Sequence, residues 1–483
     1  MLLTIKIPAF YGKILDCFAQ GSELADIDRT RILMSIRRFT TIVLGCLAAV
    51  TGVVGRPPVA NAAANDVVVV GHGWGHGRGM DQGWSFAQIL SHYYGGTKAG
   101  SIGNPDITVR LSSLEGRADP LKSTGSWITS SQDFTVGNLL VAKGSAARIV
   151  RSGTVWKVFT TSHGCAAGDN FGPWTVTTAT VTTTTNPGDD ITKMLKVCAN
   201  GRSYRGTLNP VADGSSVFLV NTLPMDSYLR GVVPRESPAS WGDAGGGRGM
   251  AALQAQAVAA RSYAQAENGY PPDAKICDTS SCQVYGGAAE QGVVIEDPRT
   301  DKAISTTAGQ VRLDASNKVV RTEYSSSTGG WTAPGGLWPA VKDEGDSRSP
   351  FHTWTTTLDG AALASRYGVG TFQWVLITAQ NGLGAEGGRV DIVKIVGSTA
   401  SRTMSGSQFA DDWNLNSDWF FPVDQPLQQV TWLRYVRPAN SRQIYRQFYL
   451  ESGGWKDSAP ISTADWMAKG SPPVTTIVSA SST

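Results

Sequence analysis

Glu236 is the residue whose surroundings could do chemistry. It lies in Val232-Val233-Pro234-Arg235-Glu236-Ser237-Pro238-Ala239-Ser240-Trp241, fenced by two prolines and flanked by apolar side chains. Loss of hydration disfavours a charged carboxylate and lifts its pKa towards neutrality. A carboxyl poised there can give a proton and take it back, as a general acid must. The same spacing allows a plainer role, in which Glu236 caps or salt-bridges the helix that follows. Arg261 and Gln256 come next. They interrupt the Ala-rich stretch 248–266, where most surfaces should be packed. A buried guanidinium needs a carboxylate or a dense set of acceptors.

These residues need elements to hold them. Residues 248–266 form the clearest helix, ended by Asn268-Gly269 and Pro271-Pro272. Being apolar nearly all round, it should be buried on most faces. Trp84 to Tyr94 has helical spacing, with Phe86, Ile89, Leu90 and Tyr93 on one face. Asp66–Val70 reads as a strand running into Gly71-His72-Gly73-Trp74-Gly75-His76-Gly77-Arg78-Gly79-Met80, a glycine loop that cannot be a stable helix. Short alternating runs at 107–111, 134–136, 155–159, 175–185 and 205–223 read as antiparallel strands. Further strands are expected at 318–325, 354–358 and 389–396, with a small β module from Val423 and a disordered Ser/Thr-rich end at 471–483. The fold class is therefore α+β: β-rich antiparallel sheets around a central buried Ala-rich helix, with an N-terminal β domain.

The chain has 483 residues, 42 Lys+Arg and 39 Asp+Glu. Residues 1–62 hold seven basic and four acidic residues, so the remainder carries 35 of each. Such neutrality gives no support to nucleic-acid binding, which uses a basic face. Gly 55 and Trp 15 suit a turn-rich protein with aromatic surfaces, a profile compatible with polysaccharides. Met34-Ser-Ile-Arg-Arg, an apolar run from Phe39 to Val54 and the small residues around Ala62 are the three parts of a secretory signal. Cleavage after Ala62 makes the protein secreted or wall-associated; retention would leave an N-terminal membrane anchor. Residues 1–33 read as an over-extended start. Four cysteines then remain, and Cys165–Cys198 and Cys277–Cys282 are the pairings that close local loops. Zinc at Cys277 and Cys282 lacks a nearby His, since the histidines are His72, His76, His92, His163 and His352. No cofactor is expected.

Leu223-Pro-Met-Asp-Ser-Tyr-Leu-Arg-Gly-Val-Val-Pro-Arg-Glu-Ser-Pro238, followed by Ala252-Leu-Gln-Ala-Gln-Ala-Val-Ala-Ala-Arg-Ser-Tyr263, resembles the core of the SpoIID/LytB family. Cys282-Gln-Val-Tyr-Gly-Gly287, Tyr324-Ser-Ser-Ser-Thr-Gly-Gly-Trp-Thr332 and the segment Trp338 to Trp354 agree in the same order. The resemblance covers roughly 205–420. It implies action on peptidoglycan, either as a lytic transglycosylase on peptide-free glycan strands or as a non-catalytic enhancer of a wall amidase. It divides the chain into a signal (34–62), an N-terminal glycine-motif and β domain (63–204), a catalytic core (205–422) and a C-terminal module (423–483). Within the core it implies Glu236 as acid/base, with Arg261 orienting it or the sugar. Gln256, Gln283, Tyr285, Ser327 and Thr328 would bind the glycan, and Trp331 would stack on it. Tyr285 and Trp331 could equally be core aromatics, and Ser327–Gly330 a tight turn. The glycine loop resembles a family segment that usually follows the core, whereas here it precedes it. No Gly-x-Ser-x-Gly elbow is present, and a metal amidase through His72 and His76 would show chelator-sensitive activity.

Overall fold

The computed structural model describes residues 66–483 apart from 76, 78–84, 116–126, 167, 214–215, 271–272, 424–431, 439–443, 451–453, 462–473 and 478–483. The signal, its cleavage point and His76 lie outside the described residues. No helix among them is long and apolar enough to cross a membrane.

Six helices are described: α1 Phe86–Tyr93, α2 Met225–Glu236, α3 Met250–Ala266, α4 Pro298–Thr306, α5 Gly360–Tyr367 and α6 Gly406–Asp412. Helix α1 starts where Ser85 and Gln88 cap each other's backbone, and Asp297 caps α4. Helix α3 is enclosed on nearly every side from Leu253 to Ala264, as its composition requires.

A seven-stranded and an eight-stranded sheet, antiparallel but for one edge strand, enclose the largest core together with α2 and α3. The fold is thus α+β and β-rich. Asp106–Arg110 lies between Ser216–Pro224 and Ile276–Cys277 in the first sheet. Lys98–Ser101 pairs with Gln310–Leu313. Val67–His72 is the middle strand between Thr353–Leu358 and Phe420–Val423, and it closes a second core with Leu363, Val393 and Phe409. The segments before and after residue 205 therefore share four sheets, the eight-stranded one through Ala289–Glu290 beside Arg202–Tyr204.

Three stretches differ from the sequence reading, and a fourth, 225–236, forms a helix where that reading assigns no element. Residues 225–236 are helical although they contain Pro234. Met225, Tyr228, Leu229, Val232 and Val233 are buried along one face of α2, and Pro234 falls in the last turn, close to where the helix ends at Ser237. Residues 175–185 are two strands, because the chain crosses at 177–180 from the eight-stranded to the seven-stranded sheet. Residues 318–325 make one bridge, Leu313 with Val319, and otherwise thread past α3, where Thr322 Oγ1 donates to Ala259 O. Within 471–483, expected to be disordered, Val474–Ile477 forms a parallel strand beside Trp432–Pro438 in a four-stranded C-terminal sheet.

Gly231 sets how closely α2 meets the following loop. A Cβ there would lie 2.6 Å from Gly287 O and from the Tyr285 ring. Alanine improves helix propensity by about 1 kcal/mol in an open site, yet here it overpacks. Gly231→Ala should lower stability by about 1–3 kcal/mol in chemical denaturation; an unchanged or higher midpoint contradicts this packing.

Candidate functional site

Glu236 is the last residue of α2 and is partly buried. Its Oε1 accepts the Val284 N–H at 2.7 Å. Burial raises its pKa to about 7, against the opposing pull of the Val284 hydrogen bond. No ion pair reaches it among the described residues, because the arginines near it in sequence are bound elsewhere. Arg235 bonds Glu290 at 3.0 Å, and Arg230 bonds Asp189, Glu296 and Asp301 at 2.8–2.9 Å. Half-protonation near neutral pH follows from that isolation.

Gln283 ties the floor of the site together. Its Oε1 accepts from Tyr228 OH at 2.9 Å, and its Nε2 donates to Tyr324 OH at 2.7 Å and Ala260 O at 3.3 Å. Burial raises both phenols, and the charge of Glu236 raises them further. Because the Tyr324 oxygen accepts from Gln283, its own proton stays available to another acceptor. Tyr228 and Tyr324 were not singled out as site residues from sequence. Their motif contained them, but nothing in the spacing ties either hydroxyl to Gln283.

Arg261 is not brought to Glu236. Its fully buried guanidinium donates to Asp226 Oδ1 at 2.9 Å, to Thr307 O at 2.9 Å and to Gln310 O at 3.2 Å. Asp226 stands at the opposite end of α2, so Arg261 fixes the helix rather than facing its catalytic end. Gln256 is buried, and its Nε2 has no partner among the described residues. Tyr285 is enclosed, donates to Asn221 Oδ1 at 2.7 Å and packs on Tyr228, so it stands in the core.

Ser327 and Thr328 form a separate cluster. Ser327 Oγ donates to both Asp346 oxygens, at 2.8 and 3.0 Å; Thr328 N donates to Oδ1 at 2.8 Å and Gly329 N to Oδ2 at 2.9 Å. Thr328 Oγ1 donates to Asp343 Oδ2 at 2.8 Å. Both hydroxyls are committed to carboxylates in the interior, so neither is free for a glycan. His352 Nδ1 also meets Asp346, at 2.8 Å. The glycine loop lies across this turn: Trp74 N donates to Ser327 O at 3.0 Å, and a Cβ on Gly73 (φ 77°) would come within 2.9 Å of the same oxygen. His72 Nε2 meets Glu386 Oε2 at 2.8 Å. Trp331 is half-buried and closes with Trp419 over Gly384. Asp343, Asp346 and His352 were missed from sequence, although Asp343-Glu344-Gly345-Asp346 is a dense acidic run.

Cys165–Cys198 and Cys277–Cys282 are both disulfide-bonded, as the loop spacing suggests. No group of three His, Cys, Asp or Glu side chains suited to a metal occurs among the described residues.

The fold and site define an α+β domain that holds one desolvated carboxyl at the end of a short helix, beside a glutamine-bridged pair of phenols. Residues 213–313 match the family model for SpoIID, a stage II sporulation protein. This core is thus of the SpoIID/LytB type. It is 33% identical over 178 residues to the amidase enhancer of Bacillus subtilis, a match covering 35% of this chain and 23% of that protein. An uncharacterized protein of Brachyspira hyodysenteriae is 32% identical over 138 residues, covering 28% and 33%. Stage II sporulation protein D of Bacillus subtilis is 27% identical over 170 residues, covering 31% and 47%. The chain thus spans between about a quarter and a half of these relatives' length.

Two outcomes test the site. Glu236 binds its proton more tightly folded than unfolded, so the native state is favoured below the unfolded pKa near 4.5 and loses that advantage as pH rises to about 7. Glu236→Gln keeps an acceptor for Val284 without the charge. Its stability should match wild type near pH 4 and exceed it by on the order of 2 kcal/mol at pH 8; a pH-independent difference contradicts a desolvated carboxyl. Arg261→Lys cannot reproduce the forked contacts and should lose about 3 kcal/mol or more in denaturant unfolding; near-wild-type stability would deny Arg261 its anchoring role.

Proposed function

We propose that the protein is exported to the cell wall and cleaves peptide-free peptidoglycan strands as a lytic transglycosylase, with Glu236 as the single acid and base. What carries this reading is the desolvated carboxyl of Glu236, its pKa near 7, with no cation paired to it among the described residues. A hydrolase of the usual kind uses two carboxylates. Here neutral Glu236 gives its proton to the glycosidic oxygen as the bond from that oxygen to the muramic C1 breaks. The 6-hydroxyl of the same muramic residue then attacks C1, closing a 1,6-anhydro ring. Its proton returns to Glu236, so no water is consumed. Tyr324, with its hydroxyl proton uncommitted among the described residues, would donate to the sugar. Arg261 supports the reaction by fixing α2. Gln283 and Tyr285 act from behind the site, and Trp331 remains available for stacking. In domain terms, the signal would be removed after Ala62 and 205–422 would carry the catalysis.

The name of the Bacillus subtilis relative, amidase enhancer, favours a second reading. In it the protein binds wall glycan and modulates an amidase without turnover.

The two are separated by incubating residues 63–483 and the Glu236→Gln variant with peptide-free glycan strands and weighing the products. Fragments one water lighter than hydrolysis products are expected from wild type, with the rate reduced at least about a hundredfold in the variant. Intact strands from both, with binding retained, would favour the enhancer.

A further inference from the structure

The strands Trp127–Thr129, Ala146–Ser152, Val155–Thr161 and Phe171–Val176 lie side by side at one end of the eight-stranded sheet. They precede the residues matched by the family model. Together they hold three cations and five aromatic residues, and no carboxylate. The register sets Trp127 opposite Arg148 and Arg148 opposite Phe159, so these three project on one face. Ile128, Ile149 and Val158 project on the other, into the core shared with α2. The three outer residues are half-buried.

Arg148 is held as a ligand-binding arginine would be. Its guanidinium carbon lies 4.8 Å from the Phe159 ring centroid and 5.4 Å from that of Trp127. No carboxylate pairs with it among the described residues, and its enclosed Nε has no hydrogen-bond partner there. A guanidinium stacked between rings keeps its N–H edges available for a planar anion, while the rings offer faces to the C–H surfaces of a sugar. Lys157, opposite Val150 on the same face, adds a second cation.

We propose that this face is a binding platform for an anionic sugar chain, with Arg148 taking a carboxylate and Trp127 and Phe159 stacking on the adjoining ring. The platform is separate from Glu236, on the side of the sheet turned away from α2. It would hold a strand while the carboxyl acts elsewhere along it. The choice of wall glycan as occupant rests on the function proposed above.

The test uses residues 63–483 carrying Glu236→Gln, so that strands bind without being cut. Binding is measured by calorimetry to peptide-free glycan strands and to the same strands with their lactyl carboxyls amidated. Amidation should weaken binding about tenfold, the size of one charge-assisted contact. Arg148→Ala should bind both forms at the weaker level, and Arg148→Lys should fall between. Near-UV circular dichroism checks that each variant is folded. Arg148→Ala binding untreated strands as tightly as its parent, or still preferring them over amidated ones, overturns the platform, as does absence of binding by the parent. With Glu236 restored, cutting of the same strands is scored separately, by the mass of the products. Failure of every form to cut, with the Arg148 binding pattern intact, would count against the transglycosylase and leave the platform standing.

Discussion

The ion pair between Arg261 and Asp226 fixes α2, and the rest of the site depends on that helix. The guanidinium is fully enclosed; its two terminal nitrogens donate to Asp226 and to carbonyls after α4, so α2, α3 and α4 meet at one point, while its Nε has no partner among the described residues. Removing Asp226 would leave this buried cation unpaired at a large cost, which makes the contact specific in position as well as strong. The other end of the same helix carries an opposite arrangement. Glu236 receives one backbone hydrogen bond and no counter-charge, while Arg230 and Arg235 are drawn outward to other acids. One helix thus pairs its first carboxylate with a buried cation and leaves its last one a single backbone N–H among the described residues.

Much of this was legible in the sequence, for physical reasons that differ by element. Helix α3 was plain because a long run of alanine has few other stable arrangements. The strand at 67–72 and both disulfides followed from local composition and loop length. Helix α2 was hidden by Pro234, which argues against helix in isolation but is tolerated in a last turn. Arg261 was correctly read as buried and in need of a carboxylate, yet sequence distance favoured Glu236 over Asp226. Only packing distinguishes two carboxylates at opposite ends of one helix. Ser327 and Thr328 were read as ligand-binding hydroxyls. Their partners, Asp346 and Asp343, become neighbours only when the chain turns back, and no local pattern announces that.

The cluster around Asp346 explains why the glycine loop needs its glycines. The loop backbone bonds directly to Ser327, and a side chain on Gly73 would collide with that oxygen. His72 and His352 are each oriented by a carboxylate, Glu386 and Asp346 respectively. Two remote parts of the chain are locked together there by backbone contacts that leave no room for a Cβ.

The placement of Val67–His72 also bears on when the protein can fold. That strand emerges first yet sits between Thr353–Leu358 and Phe420–Val423, with Val67 opposite Leu358. Until both later strands exist, a run of four valines has neither of its ladder partners. Loops that long close slowly, and an unpaired apolar strand is prone to wrong pairing while it waits. The chain therefore cannot complete its second core progressively from its N-terminus. That core is complete only once residue 423 is in place, which ties the first described strand to the far end of the chain.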